Sequence, residues 1–239
     1  MIRLEGVTYA PGAVILDQIS LSFAPGCITA LVGRSGCGKS TLLRIVAGLR
    51  APDAGRVLGV PARRAFVFQD AALLPWLDTR QNVSLPGRYG PIGDVAAALE
   101  SVGLAEHADK LPAALSGGQR MRASLARALV ARPEIVLLDE AFAALDGLTR
   151  RAVQAVFLDL ALRERWTVLM VTHELEDAVR LADRVLALDG PPLRVLLDVP
   201  IFQPRPRNLA DPALVARIEA ALDTQLDVSG VQRMPLATR

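Results

Sequence analysis

The sequence predicts an α/β fold, a mainly parallel sheet whose strands alternate with helices, interrupted midway by a helical block. Three observations point there. Continuously apolar runs such as Ile135 to Leu138 and Val168 to Val171 have the length of strands covered on both faces. Helical periodicity follows them at about 147–165 and 174–182. A glycine-rich string, Gly33-Arg-Ser-Gly-Cys-Gly38-Lys39-Ser40, joins one such strand to a helix.

In chain order, the first 70 residues read as short strands broken by turns, with strands expected over Ile2 to Thr8, Ile19 to Phe23, Cys27 to Val32 and 65–68. A helix from Lys39 to about Leu49 stops near Pro52-Asp53-Ala54-Gly55, a turn signal. From about Leu73 to Ala131 the period is helical, with Pro and Gly at 86–93 and Pro112 as punctuation, and this tract reads as an inserted subdomain. A buried strand returns at Ile135 to Asp139, then a helix over about Gly147 to Arg165. A strand (Thr167 to Thr172), a helix (Glu174 to Ala182) and a strand (Arg184 to Leu188) complete the alternation. Pro204-Arg-Pro-Arg-Asn208 reads as a linker, 211–222 as a short amphipathic helix, and the last dozen or so residues as frayed. The expected division is therefore 1–203, with about 73–131 inserted, and 204–239 appended.

Composition narrows the function. Hydrophobic residues make up 51% and charged residues 22% of the 239, which supports a buried core and argues against disorder. Lys+Arg 27 against Asp+Glu 25 leaves a net charge of +2, too weak a field to hold a polyanion. The mean hydropathy of +0.32 is high for a soluble protein. Yet no stretch approaches the ~18 uninterrupted apolar residues of a membrane span, and Met1 to Glu5 lacks the apolar core of a signal peptide. Cys27 and Cys37 cannot make a disulfide framework for this length. The expectation is a cytosolic chain with apolar surface still to be explained. Only Lys39 and Lys110 among the 27 cations are Lys, so the position of each carries weight.

The glycine-rich string fits G-x4-G-K-[ST] in the strand–loop–helix setting that motif needs. Backbone N–H groups across Gly33, Ser35, Gly36, Cys37, Gly38 and on to Thr41, with the helix N-terminus, form an anion cradle. Lys39 is expected at the β and γ phosphates of ATP, and the Ser40 hydroxyl on Mg²⁺. The strand at 135–139 ends in Asp139-Glu140, and neighbours on a strand face opposite sides. Asp139 is assigned to Mg²⁺, mostly through water, and Glu140 to polarising the attacking water as general base. In Leu115-Ser116-Gly117-Gly118-Gln119, Ser116 is a suitable N-cap for the helix that follows. Its exposed N–H groups and dipole make a second anion site about 80 residues from the first, although such a string alone also suits a flexible helix entrance. His107 reads as a lone surface-helix residue. His173-Glu174 is not a zinc motif, because Asp177 stands where a second His is required.

With these motifs in this order, the chain resembles the nucleotide-binding subunits of ATP-binding cassette transporters from about residue 2 to about 200. The matching parts are the phosphate loop, Gln69 in Phe68-Gln69-Asp70, Leu-Ser-Gly-Gly-Gln, Asp139-Glu140, Ala144-Leu145-Asp146 and Thr172-His173-Glu174. The resemblance implies a P-loop NTPase core, an N-terminal antiparallel β part and an inserted α-helical signature subdomain. It also implies that two copies sandwich two ATP molecules head to tail. Lys39, Ser40, Gln69, Asp139, Glu140 and His173 then act in cis, while Ser116 and Gly118 of the signature, which includes Gly117 and Gln119, reach the γ-phosphate held by the other subunit. By the same resemblance His173 contacts the γ-phosphate and holds the attacking water, Gln69 reaches Mg²⁺ or that water, and Asp146 lies at the dimer crossing. Tyr9, 24 residues before Gly33, is similar to the aromatic that stacks on adenine, and it also fits a strand-end residue.

The implied partners are transmembrane permease subunits, a second copy of the chain and, indirectly, an external solute-binding protein, at the cytoplasmic face of a bacterial inner membrane. No nucleic acid is expected. In the family the Gln69 loop also lines the groove that receives a permease helix, a use for the apolar surface. Leu73-Leu74-Pro75-Trp76, and Pro204-Arg-Pro-Arg followed by Leu209-Ala-Asp-Pro212, are similar to the subgroup that imports nitrate, sulfonates or taurine. Trp76 also fits plain packing. Ala141 and Ala143 depart from the family's usual Pro and Ser, and Ala143 lacks a hydroxyl at the dimer crossing. That leaves a weakly hydrolysing regulatory cassette as an alternative. A nucleic-acid-associated cassette ATPase is a further one, opposed by the single cassette, the roughly 75 residues between Thr41 and Ser116, and the near-neutral charge.

Overall fold

Strands that are apolar at nearly every position need cover on both faces. In the computed structural model, which describes residues 1–205, 207 and 211–228, three such strands are buried throughout: β3 (Ile28–Gly33), β6 (Ile135–Asp139) and β7 (Thr167–Val171). With β5 (Arg64–Phe68), β8 (Arg184–Asp189) and β9 (Arg194–Pro200) they make a six-stranded sheet ordered β5-β6-β7-β3-β8-β9. The first five strands are parallel, and β9 closes the edge antiparallel to β8. A second, antiparallel sheet joins β2 (Leu16–Phe23), β1 (Ile2–Tyr9) and β4 (Ala54–Leu58), with β1 in the middle.

Alternation along the central strands divides the core in two. Ala30, Val136, Leu138, Val168 and Met170 face one cluster, which takes in α4 (Gly117–Val130), α5 (Gly147–Arg163), α6 (Leu175–Leu181) and α7 (Pro212–Val228). Leu31, Ile135, Leu137, Leu169 and Val171 face the other, completed by α1 (Lys39–Val46) and the small sheet. Two strands were not foreseen. β4 opens on the Ala54-Gly55 turn signal and is mostly exposed, and β9 is an edge strand whose apolar run is broken at Asp198 and which buries only Val199 fully. The expected helical tract is three helices, α2 (Thr79–Ser84), α3 (Val95–Ser101) and α4, spaced by single 3₁₀ turns at Leu85–Arg88, Ala105–His107 and Pro112–Ala114. The Pro and Gly punctuation breaks the tract where it falls. α7 outruns its expected span by several residues, and the expected fraying falls almost entirely outside the described residues. Among the described residues no helix is long and apolar enough to cross a membrane.

Candidate nucleotide-binding and catalytic site

Parallel α/β sheets bind ligands beyond the carboxyl ends of their strands, and the predicted residues gather there. β3 ends at Gly33, with φ at +151°, where a Cβ would stand 2.0 Å from the Leu188 carbonyl oxygen of β8. No other residue fits that close approach. The chain then loops to α1, whose first residue is Lys39. The Lys39 ammonium is only 5% exposed and donates to the carbonyls of Gly33 (2.8 Å) and Arg34 (2.5 Å). Among the described residues no carboxylate forms an ion pair with it. The Cys37 sulfur, 3.6 Å away, completes its surroundings, and a buried cation held only by neutral groups lacks its counter-charge.

A pocket of about 160 Å³ opens over this ammonium, lined by Ile15, Ser35, Gly36, Gly38, Lys39, Ser40, Thr41 and Glu140. Glu140 thus faces the phosphate loop, as the motif order requires. It does so from a left-handed backbone, φ +51°, an uncommon and costly conformation for a residue with a side chain. Its N–H donates to the Val171 carbonyl of β7, which fixes the turn out of β6. The Glu140 carboxylate lies 3.7 Å from His173 Nδ1, and His173 follows β7 by two residues. Asp139, 8% exposed, accepts from Ser40 Oγ at 2.6 Å and has Arg44 Nη2 at 3.4 Å.

Other expected residues stand elsewhere. Phe68 pairs with Asp139 in the parallel register, so Gln69 enters at the same end of the sheet as the acid pair. It is exposed and lines a different pocket of about 360 Å³, shared with Gly117, Arg120, Ala141, Ala144 and Leu145. Tyr9 is not on the wall of the phosphate pocket, where Ile15 is found instead. The Arg50 guanidinium lies 5.6 Å from the Tyr9 ring centre and donates to its hydroxyl at 2.9 Å, so one ring face already carries a cation. Trp76 is 72% exposed, which rules out the alternative of interior packing within this chain.

The signature region is a capped helix start. Ser116 Oγ accepts from the Gln119 N–H (3.2 Å), and Gln119 Oε1 accepts from the Ser116 N–H (2.8 Å), a reciprocal capping box. Gly118 lies where a Cβ would come 2.3 Å from Thr149 Cγ2, so α4 meets α5 at closest approach there. Asp146 caps α5 by accepting from the Thr149 N–H at 3.0 Å. The Thr149 hydroxyl and amide together hold its carboxyl below the ordinary range.

Three residues gain roles that sequence reasoning missed. His107 is not a free surface residue: its Nε2 sits 2.9 Å from Gln119 Nε2, and its Nδ1 is buried without a partner. Since Gln119 Oε1 accepts from the Ser116 N–H, it is the Gln119 amide nitrogen that faces His107 Nε2. Arg150 donates to the carbonyls of Leu145 (3.3 Å) and Ala143 (3.5 Å) and to Glu174 (2.7 Å), joining the segment before Asp146 to the neighbour of His173. Arg34 reaches from the phosphate loop to the Leu222 carbonyl at 3.0 Å. Each of the three has a partner at least 12 residues away, Gln119, Glu174 and Leu222, where no local spacing signals it.

The sequence profile of the ABC transporter family matches residues 16–143. The chain is similar to the aliphatic sulfonates import ATP-binding protein SsuB 1 of Nocardia farcinica, 47% identical over 224 residues that cover 93% of this chain and 90% of that one. It is also similar to the protein of the same name from Pseudomonas syringae pv. syringae, 44% identical over 232 residues, covering 96% and 97%. Among solved structures, the dimeric post-hydrolysis state of the ATP-binding cassette MJ0796 bound to ADP and Pi superposes with a TM-score of 0.74 at 28% identity, covering 85% of this chain and 100% of that one.

Proposed function

The chain belongs to the ABC transporter family, and from that premise we propose an ATPase that powers import of an aliphatic sulfonate through a membrane permease. The observation that carries the nucleotide reading is Lys39, a buried ammonium at the phosphate loop with carbonyls and a thiol around it and, among the described residues, no carboxylate to pair with. The β and γ phosphates of ATP supply that charge, held by the loop's N–H groups and the start of α1. The relatives' names support the solute.

Hydrolysis needs a water activated beside the γ-phosphate. Glu140 accepts its proton, and His173, close to Glu140, holds water and phosphate in line. Ser40 and Asp139 present oxygen donors only, and the nearly buried Asp139 has one long guanidinium contact, which fits a hard divalent cation. Ser40 and Asp139, with Gln69 at the same end of the sheet, would hold Mg²⁺, which when bound would supply positive charge against the phosphates. Ser116 and Gly118 serve the nucleotide of a second copy. The exposed Trp76 and the Gln69 loop face the permease, which keeps the chain peripheral on the cytoplasmic side. Residues 1–203 form the ATPase unit.

The test is uptake into vesicles holding the permease, with this chain and ATP inside and the solute-binding protein outside. An alkanesulfonate is expected to accumulate and to stimulate turnover, and taurine and nitrate less so. Stimulation by nitrate alone overturns the sulfonate assignment, and uptake that does not depend on ATP overturns the motor itself.

A further inference from the structure

The segment after β9 is fastened at two points. Arg205 forms an ion pair with Asp183 at 2.7 Å and donates to the Leu181 carbonyl at 2.6 Å. Arg207, 9% exposed, donates to the carbonyls of Val179, Arg180 and Ala182. These are the carbonyls that the end of α6 leaves unpaired within the helix. Beyond this anchor α7 lies on the core, with Ile218 fully buried and Leu214, Val215 and Leu222 packed beside it. Near its described end the Leu222 carbonyl accepts from Arg34 Nη2 at 3.0 Å. The carbonyl of the same Arg34 receives the Lys39 ammonium at 2.5 Å. One residue therefore touches α7 with its side chain and the phosphate-binding lysine with its backbone.

We propose that α7 is a strap that holds the phosphate loop in its binding shape, with Arg34 as the positioning residue through which it acts. A loop built from glycines gains most from an outside tether, because its free conformations are the most numerous. The strap starts at the end of α6, the helix that follows His173, and finishes on the loop that carries Lys39. It thus spans two elements of the same site. The proposal rests on the reading that this loop holds ATP.

The experiment measures equilibrium affinity for a slowly hydrolysed ATP analogue with Mg²⁺. Four chains are compared: the full chain, Arg34→Ala, a chain ending at Glu219, and the two changes combined. Ending at Glu219 removes Leu222 and the later part of α7 but keeps the core contacts of Leu214, Val215 and Ile218. Each single change is expected to weaken binding about tenfold, the worth of one charge-assisted hydrogen bond, and the combination no more than either. If Arg34→Ala weakens binding further in the shortened chain, Arg34 touches the nucleotide itself and the strap is overturned. Undiminished affinity in the shortened chain overturns it as well. A full chain that binds no nucleotide overturns the strap and the ATP reading together. Should the shortened chain not fold, amide exchange in full-length Arg34→Ala decides: exchange in α7 faster than in the unaltered protein supports the strap, and unchanged exchange overturns it.

Discussion

A Glu140→Gln chain is expected to bind ATP as the unaltered chain does and to hydrolyse it about 100- to 10,000-fold more slowly, the usual worth of a positioned general base. The substitution keeps the shape of the side chain, and the backbone it must adopt, φ +51°, is the one Glu140 already occupies. What it removes is the capacity to take a proton from water at the mouth of the phosphate pocket. Without that step two ATP molecules stay trapped between two copies. Solution mass should therefore double on adding ATP and Mg²⁺ and fall back when nucleotide is removed. A monomer that still binds ATP would mean that closure needs the permease. Turnover that survives the substitution would place the base elsewhere, with His173 the first residue to examine.

The second large effect comes from mixing two inactive proteins. Ser116→Arg removes the cap of α4 and puts a bulky cation where a neighbour's γ-phosphate should sit. Alone it should be inactive, as should Glu140→Gln. In a mixed head-to-tail pair, however, one site combines an intact Glu140 with the other copy's intact Ser116. At equal amounts about half of the dimers are mixed, and each holds about one sound site of its two, so about a quarter of the original activity returns if the sites act independently. Steady-state phosphate release after co-incubation reads this directly. No recovery at any ratio would mean that Ser116 serves its own subunit's nucleotide or that both sites must fire together.

The parts legible in the sequence share a physical cause. β3, β6 and β7 are apolar at nearly every position, so their burial is written in almost every residue, and β6 has the expected bounds. The phosphate loop is equally plain, because its glycines answer local demands: Gly36 and Gly38 hold left-handed φ of +81° and +110°. β4 and β9 were hidden because edge strands need no continuous apolar run. In the helical tract the Pro and Gly punctuation marked the breaks at Leu85–Arg88 and Pro112–Ala114, while the 3₁₀ turn at Ala105–His107 keeps roughly helical spacing and stayed hidden. Within the site, Lys39, Ser40, Asp139 and Glu140 were legible because motif and chemistry coincide. His107, Arg150 and Arg34 were not, since each matters through a partner 12 to 188 positions away, which only the folded chain brings near.

Glu140 also separates what folding favours from what the reaction requires. Its left-handed backbone suits glycine far better than any side chain with a Cβ. A Glu140→Gly change would relieve the conformation by roughly 1 to 2 kcal/mol. Any engineering campaign that ranks substitutions by thermal resistance is therefore drawn to a carboxylate on which the proposed turnover depends. A heat-tolerant version of this protein selected that way would be a sturdy nucleotide holder and a motor with no stroke.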